Sequence, residues 1–145
     1  MKLSFSKIKE IKSFCEDLHS TPCYREVIEN ADSSDFEVED VRFIDSDSID
    51  SVLAEELQSD LYILGCFNAW FISEQTDIDQ DVIEALQEAE AFEALGKLIV
   101  KSCDMVEFAQ AYAGADGYGH HFNRYDFGQE EIQIGDTLYY VFDNH

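Results

Sequence analysis

The amino-acid sequence predicts an α+β fold in which several short helices pack on a small antiparallel sheet, and three observations predict it. Apolar residues recur every three to four positions through most of the chain, the spacing of a buried helical stripe. Two stretches break that rhythm: Phe36, Val38, Val41 and Phe43 suggest a strand over 36–44, and a second strand-forming stretch covers about 129–142. Inside the latter, Glu131-Ile132-Gln133-Ile134 and Thr137-Leu138-Tyr139-Tyr140-Val141-Phe142 flank Gly135-Asp136. Glycine at the first central position suits a two-residue type II′ hairpin turn. A hairpin alone is marginal in water, so the 36–44 strand is expected to join it.

The elements follow in order. Ile8, Ile11, Phe14, Cys15 and Leu18 predict a helix over about 7–19. Thr21 followed by Pro22 reads as an N-cap with proline at the first helical position, opening a short helix that runs to about Asn30. Residues 31–35 form a loop. The strand over 36–44 slips phase near Glu39–Asp40, which reads as a bulge. Asp47 or Ser48 can cap a helix that turns Ile49, Val52, Leu53 and Leu57 inward. The run from Leu61 to Ile72 is apolar nearly all round; its length favours a buried helix, while periodicity does not decide between helix and strand. Thr76 and Asp77 begin a helix bearing Val82, Ile83 and Leu86; the spacing falters at Ala89–Ala91, and a new helix runs to about Lys101. Ser102 can cap a last helix with Met105, Val106, Phe108, Ala109 and Tyr112, and Gly114, Gly117 and Gly119 are expected to end helical structure.

A chain of 145 residues fits one domain, 1–145, and would bury roughly 70% of its unfolded surface. Leu, Ile, Val and Phe supply 41 of those residues, above the roughly 20% below which a highly charged chain stays disordered. The expectation is a folded domain with an acidic skin. Its formal charge is −23, unevenly spread: between Glu26 and Gly96 stand 21 Asp and Glu residues and one base, Arg42. Five of the nine bases (Lys2, Lys7, Lys9, Lys12, Arg25) lie at the N-terminal end. Self-repulsion of this size destabilises a compact state, so solubility is a poor reason for it. Halophilic acidity is usually spread along a chain, whereas here the bases are segregated. The obvious physical use is attraction to something strongly basic. Direct binding to nucleic acid or to an anionic membrane surface is opposed by the same charge. No run approaches the roughly 18 apolar residues of a membrane span, and the opening MKLSFSKIKEIKSF lacks the pattern of a signal peptide. Cys15, Cys23, Cys66 and Cys103 form no CxxC pair and are expected to be reduced thiols in a cytosolic protein.

Three constellations carry possible chemistry. On one helix, Asp77, Asp81, Glu84 and Glu88 would form a stripe with side chains roughly 5–6 Å apart, comparable with successive phosphates of a nucleic-acid strand. The plain alternative is a solvated face with acids near a helix N-terminus, which suits Asp77, Asp79 and Asp81 better than Glu84, Glu88 and Glu90. Asp77, Asp79, Asp81 and Glu88 also match part of a calcium loop, but Val82 replaces its turn glycine; Asp45, Asp47 and Glu56 repeat the pattern less well, with Asp50 at the glycine position. No metal site is expected. The third is Ala113 to Asp126, with three glycines, Tyr118, Tyr125 and the pair His120–His121. His120, His121 and Asp126 can be imagined as an acid–base or metal site. Adjacent histidines on an extended chain point to opposite sides, which argues against one shared ion. Nucleophilic triads, phosphate-binding loops and dinucleotide fingerprints are absent from the sequence.

The acid excess over 26–96, the stripe Asp77–Asp81–Glu84–Glu88 and the aromatic-rich small domain resemble a functional class. It comprises the small acidic proteins that phages and plasmids encode against host defences, antirestriction and anti-CRISPR proteins of the DNA-mimic type. That resemblance implies a non-enzymatic inhibitor without cofactor in the host cytoplasm, acting on the basic nucleic-acid channel of a restriction enzyme or CRISPR effector. The class spans unrelated folds, so residue roles come from the chain itself. Contact residues are then expected at Asp45, Asp47, Asp50, Asp77, Asp79, Asp81, Glu84 and Glu88, with Tyr118, His120 and Tyr125 beside them. The partner is a basic nucleic-acid-binding protein or complex, and the chain a monomer or homodimer. The alternatives are a small enzyme using His120, His121 and Asp126, and an immunity-type partner of one basic protein.

Overall fold

A computed structural model describes residues 4–19 and 21–144. The fold is α+β, as the sequence predicts: two helices, a β-hairpin, a run of helices and a second hairpin follow in order, and the two hairpins form a four-stranded antiparallel sheet. The chain divides into two compact units, one holding the described residues of 1–49 and 116–145 and the other residues 50–115.

The first unit is built on the sheet. Helix α1 (Phe5–Asp17) starts two residues earlier than its apolar spacing predicts, because the Ser4 hydroxyl accepts from the Lys7 amide at 3.3 Å. Helix α2 (Tyr24–Asn30) starts later than predicted. Its N-cap is Cys23, whose carbonyl accepts from Glu26 and Val27; Thr21 instead donates to the Leu18 carbonyl at the end of α1.

The single bulged strand expected over 36–44 is two strands, β1 (Asp35–Val38) and β2 (Val41–Asp45), in a hairpin that pairs Val38 with Val41. Glu39 and Asp40 form the turn, both at positive φ (48° and 58°), as a type I′ turn requires. The phase slip in the sequence marks a reversal of the chain rather than a bulge. The predicted C-terminal hairpin is present as β3 (Glu130–Ile134) and β4 (Thr137–Asp143), with Gly135 at φ 61°. Strand β2 joins it by pairing with β4, giving the order β1-β2-β4-β3.

Alternation along the strands separates two faces. Phe36, Val38, Val41, Phe43, Ile132, Ile134, Tyr139 and Val141 face α1 and α2, which contribute Ile11, Cys15, Val27 and Ala31 to the same core. The other face carries Arg42, Tyr140 and Phe142, against which α9 (Tyr118–Phe122) packs: Phe122 lies 5.1 Å from Phe142, and Tyr118 stacks on Tyr140 at 5.4 Å.

The second unit is helical. The run Leu61–Ile72, expected as one buried helix, is broken into α4 (Leu61–Gly65) and α5 (Ala69–Thr76), following α3 (Ile49–Ser59). Asn68 causes the break by accepting from the Trp70 and Phe71 amides. Tyr62, Ile63 and Trp70 are exposed, so this run is not buried all round. Helix α6 (Gln80–Glu88) begins at an Asp79 cap; Ala89 to Ala91 break the chain as predicted, and α7 (Phe92–Ser102) follows. The cap of α8 (Met105–Asp116) is Asp104, which accepts from Val106 and Glu107, while Ser102 belongs to α7 and donates to the Leu98 carbonyl. Gly114 lies inside α8 and Gly119 inside α9, so of the three glycines only Gly117, at φ 84°, separates helices.

Two close approaches hold this unit together. A β-carbon on Gly65 would stand 1.9 Å from the Phe92 carbonyl oxygen, and one on Gly96 would stand 2.1 Å from that of Leu61. Helices α4 and α7 therefore run antiparallel, backbone against backbone. Gln87 of α6 donates to the Gly65 and Phe67 carbonyls at 3.0 and 2.8 Å, satisfying acceptors that the short α4 leaves open. Phe67, Phe71, Phe108 and Tyr112 pack ring against ring beside them.

Candidate functional site

None of the 21 carboxylates between Glu26 and Gly96 is buried; 18 are exposed, and Asp45, Asp50 and Glu56 are partly covered. Burying an ionised carboxylate without a partner is costly, and this region has almost no cations to offer. Its one base, Arg42, holds Asp35 through two hydrogen bonds, Nε to Oδ1 at 2.9 Å and Nη2 to Oδ2 at 2.7 Å. Its guanidinium also lies 5.1 Å from the Phe122 ring centre. The base of the acidic span is thus committed within its own unit.

The predicted stripe is shorter than the sequence suggests. Asp77 does not open α6: it follows α5 as the C-cap, in the left-handed region at φ 61°. The helix between them cannot be continuous, because Thr76 ties back to Ile72 and accepts from Ile78, while Ser73 donates to the Ile78 carbonyl. Asp79 spends one oxygen capping α6 through the Asp81 amide at 3.0 Å. Asp81, Glu84 and Glu88 remain as an exposed ridge along α6, with Ile83 buried beneath them. Val82, expected to face inward, is 48% exposed. Among the described residues no group of three or more His, Cys, Asp or Glu is placed to hold a metal ion.

Asp45 Oδ1 accepts from the Asp47 amide at 2.8 Å, and Asp50 accepts from Gln110 at 3.2 Å. The β1–β2 turn adds acids that the sequence pattern does not single out: Glu37, Glu39 and Asp40 are all exposed on this hairpin. Two valines flanking two acids were the available signal, but Glu-Asp is not a turn pair that sequence rules favour.

The segment from Ala113 to Asp126 is not one loop: its first residues end α8, Tyr118–Phe122 form α9, and a turn follows Asn123. His120 and His121 lie on α9, where successive side chains diverge around the helix axis; His120 packs against Phe127 and His121 against Phe122. Tyr118 is half-buried against Tyr140, and Tyr125 stacks on His19 at 4.3 Å. Asp126 Oδ1 accepts from the Gly128 amide at 2.9 Å. A cleft of about 310 Å³ in the first unit is lined by Asp126 and Tyr125 but not by His120 or His121, so the three residues of the catalytic alternative do not share it.

The perturbed groups are buried or partly buried. Burial, with the nearby Cys23 and Glu16, pushes the Cys15 thiol up to about 11. Burial and neighbouring acids raise Cys103, and burial raises the Tyr139 phenol, with Asp45 and Asp32 adding to it. All four cysteines are free thiols. No helix among the described residues is long and apolar enough to cross a membrane. No family model, curated protein or solved structure matches this chain.

Proposed function

We propose that this protein is an acidic nucleic-acid mimic that occupies the basic nucleic-acid channel of a host defence enzyme, a CRISPR effector or a restriction enzyme, and blocks it by competition. The observation that carries this reading is the solvent access of all 21 acids of the 26–96 span, whose only base is already bound to Asp35. Carboxylates arrayed without cations repel one another, at a cost of a few tenths of a kcal/mol for each neighbouring pair on a helix. A cationic partner relieves that repulsion and is steered to the surface by it. In the second unit the contact is the α6 ridge of Asp81, Glu84 and Glu88, with Asp77, Asp79 and Asp50 on the same unit. In the first, Asp45, Asp47 and the Glu39–Asp40 turn present acids, with Tyr118, His120 and Tyr125 as ring contacts. Aromatic side chains supply affinity that ion pairs alone do not guarantee once desolvation is counted.

The test is affinity capture from a bacterial lysate at low and high salt, with mass spectrometry of what is retained. The expected product is a nucleic-acid-binding enzyme that salt releases and that added DNA or RNA displaces. Reversing Asp81, Glu84 and Glu88 to Lys together should weaken its retention by at least about ten-fold. A partner indifferent to salt and to nucleic acid, or to these reversals, overturns the reading.

A further inference from the structure

The cleft of about 310 Å³ lies where the C-terminal end of α1 meets the segment after α9. Its volume is at the small end of ligand sites, enough for one side chain rather than an extended substrate. Asp17, Asp126, Glu130 and Asp143 line it, and no Lys or Arg is among its described lining residues. Tyr125 and His19 line it as well, their rings stacked at 4.3 Å with 25° between planes, and Tyr125 remains 47% exposed.

The Tyr125–Asp126 wall of the cleft is held in place. Asn123 is 4% exposed, accepts from the Tyr125 and Asp126 amides at 2.9 and 3.1 Å, and donates to the Gly128 carbonyl at 2.8 Å. The Tyr125 amide also reaches the Asp143 carbonyl, tying this wall to β4. A cavity that joins a flat, partly exposed ring pair to carboxylates has the two elements that recognise a guanidinium: a face to stack on and acceptors for its N–H fork.

The geometry points to an arginine-binding site: the cleft takes one arginine side chain of a basic protein, stacked on the Tyr125–His19 pair with its N–H groups toward Asp17, Asp126 and Glu130. The inhibitor reading supplies only the identity of the protein that carries the arginine; the chemistry rests on the cleft. Lysine is a weaker fit, because a point charge neither stacks nor bridges two acceptors in a plane.

The experiment titrates the ¹⁵N-labelled full chain with N-acetyl-arginine amide, its lysine counterpart, a short arginine-containing peptide and agmatine, following amide shifts. Saturable shifts centred on His19, Asn123, Tyr125, Asp126 and Gly128 are expected, with the lysine compound about five-fold weaker or more. Asp126→Asn keeps the acceptor for Gly128 while removing the charge, and should weaken arginine binding by a similar factor, as should Tyr125→Ala. The wild-type map and the arginine–lysine contrast stand even if a variant fails to fold. Non-saturating shifts spread over the acidic surface, or equal binding of lysine and arginine, overturn the site; agmatine binding more tightly than the peptide overturns a protein as its source. Saturable arginine binding without a nucleic-acid-displaceable partner leaves the site standing and the inhibitor reading fallen. A captured partner with a silent cleft does the opposite, keeping the inhibitor reading and overturning the site.

Discussion

Gly96 lies so close to Leu61 that a β-carbon at position 96 would stand 2.1 Å from the Leu61 carbonyl oxygen, with Gly65 meeting Phe92 in the same way one turn along. The spacing from 61 to 65 and from 92 to 96 is four residues in each helix, so the two contacts fall on one shared seam. The obstacle is backbone on both sides, which cannot swing away as a side chain would.

Gly96→Ala and Gly65→Ala are therefore expected to destabilise the fold by roughly 1–3 kcal/mol despite alanine's better helix propensity. Gly114→Ala is the contrast. That glycine lies within α8 with nothing inside 4 Å of an added β-carbon, so the change should stabilise by roughly 0.5–1 kcal/mol. Urea unfolding of the three variants checks both signs.

Tyr139 anchors the sheet to the loop after α2, its buried hydroxyl donating to the Ala31 and Ser33 carbonyls. Tyr139→Phe leaves those acceptors without this donor and should cost roughly 1–3 kcal/mol. Burial raises the phenol above its ordinary 10.0, so the folded state keeps the proton longer than the unfolded chain. Stability from this group is complete below about pH 10 and is lost as pH rises through the raised value. The alkaline fall in melting temperature should be shallower in the variant.

Cys15 is buried and its thiol is raised from 9.0 to about 11, which lowers its thiolate fraction near pH 8 about 100-fold. Iodoacetamide should label Cys23 and Cys66, both exposed, well before Cys15. Peptide mapping at timed quenches measures this, and equal rates at Cys15 and Cys23 would refute the core placement of Cys15.

Glu39 and Asp40 hold positive φ without glycine, a conformation that costs L residues roughly 1–2 kcal/mol each. The double substitution Glu39→Asn with Asp40→Gly installs the Asn-Gly pair that type I′ turns favour. It should raise stability by roughly 1 kcal/mol in thermal unfolding.

On α6, Glu88→Lys removes a like-charge neighbour of Glu84 and puts a cation at the helix C-terminus, so roughly 0.3–0.5 kcal/mol of added stability is expected. The same change should weaken capture of a basic partner. Stability and binding moving in opposite directions would mark the ridge as kept for recognition; a parallel fall would mark it as structural.

The α+β class, the pairing of the 36–44 region with the C-terminal hairpin and the helix break at Ala89–Ala91 were legible in the residues alone. Each follows from local spacing or from turn chemistry such as Gly135. The acidic surface was legible too, since a span with 21 acids and one base has too few cations to bury its carboxylates and leaves them in reach of solvent. The Glu39–Asp40 reversal was not, because the two-residue turn set by the Val38–Val41 pair of β1 and β2 places positive φ on Glu-Asp, a pair that turn rules do not favour. Local side-chain caps that periodicity does not count split Leu61–Ile72 at Asn68 and removed Asp77 from the α6 stripe, where hydrogen bonds of Thr76 and Ser73 outweigh helical spacing. The cleft beside Tyr125 was out of reach of any one-dimensional reading, since His19 and Tyr125 are more than 100 positions apart and meet only when α1 packs on the sheet.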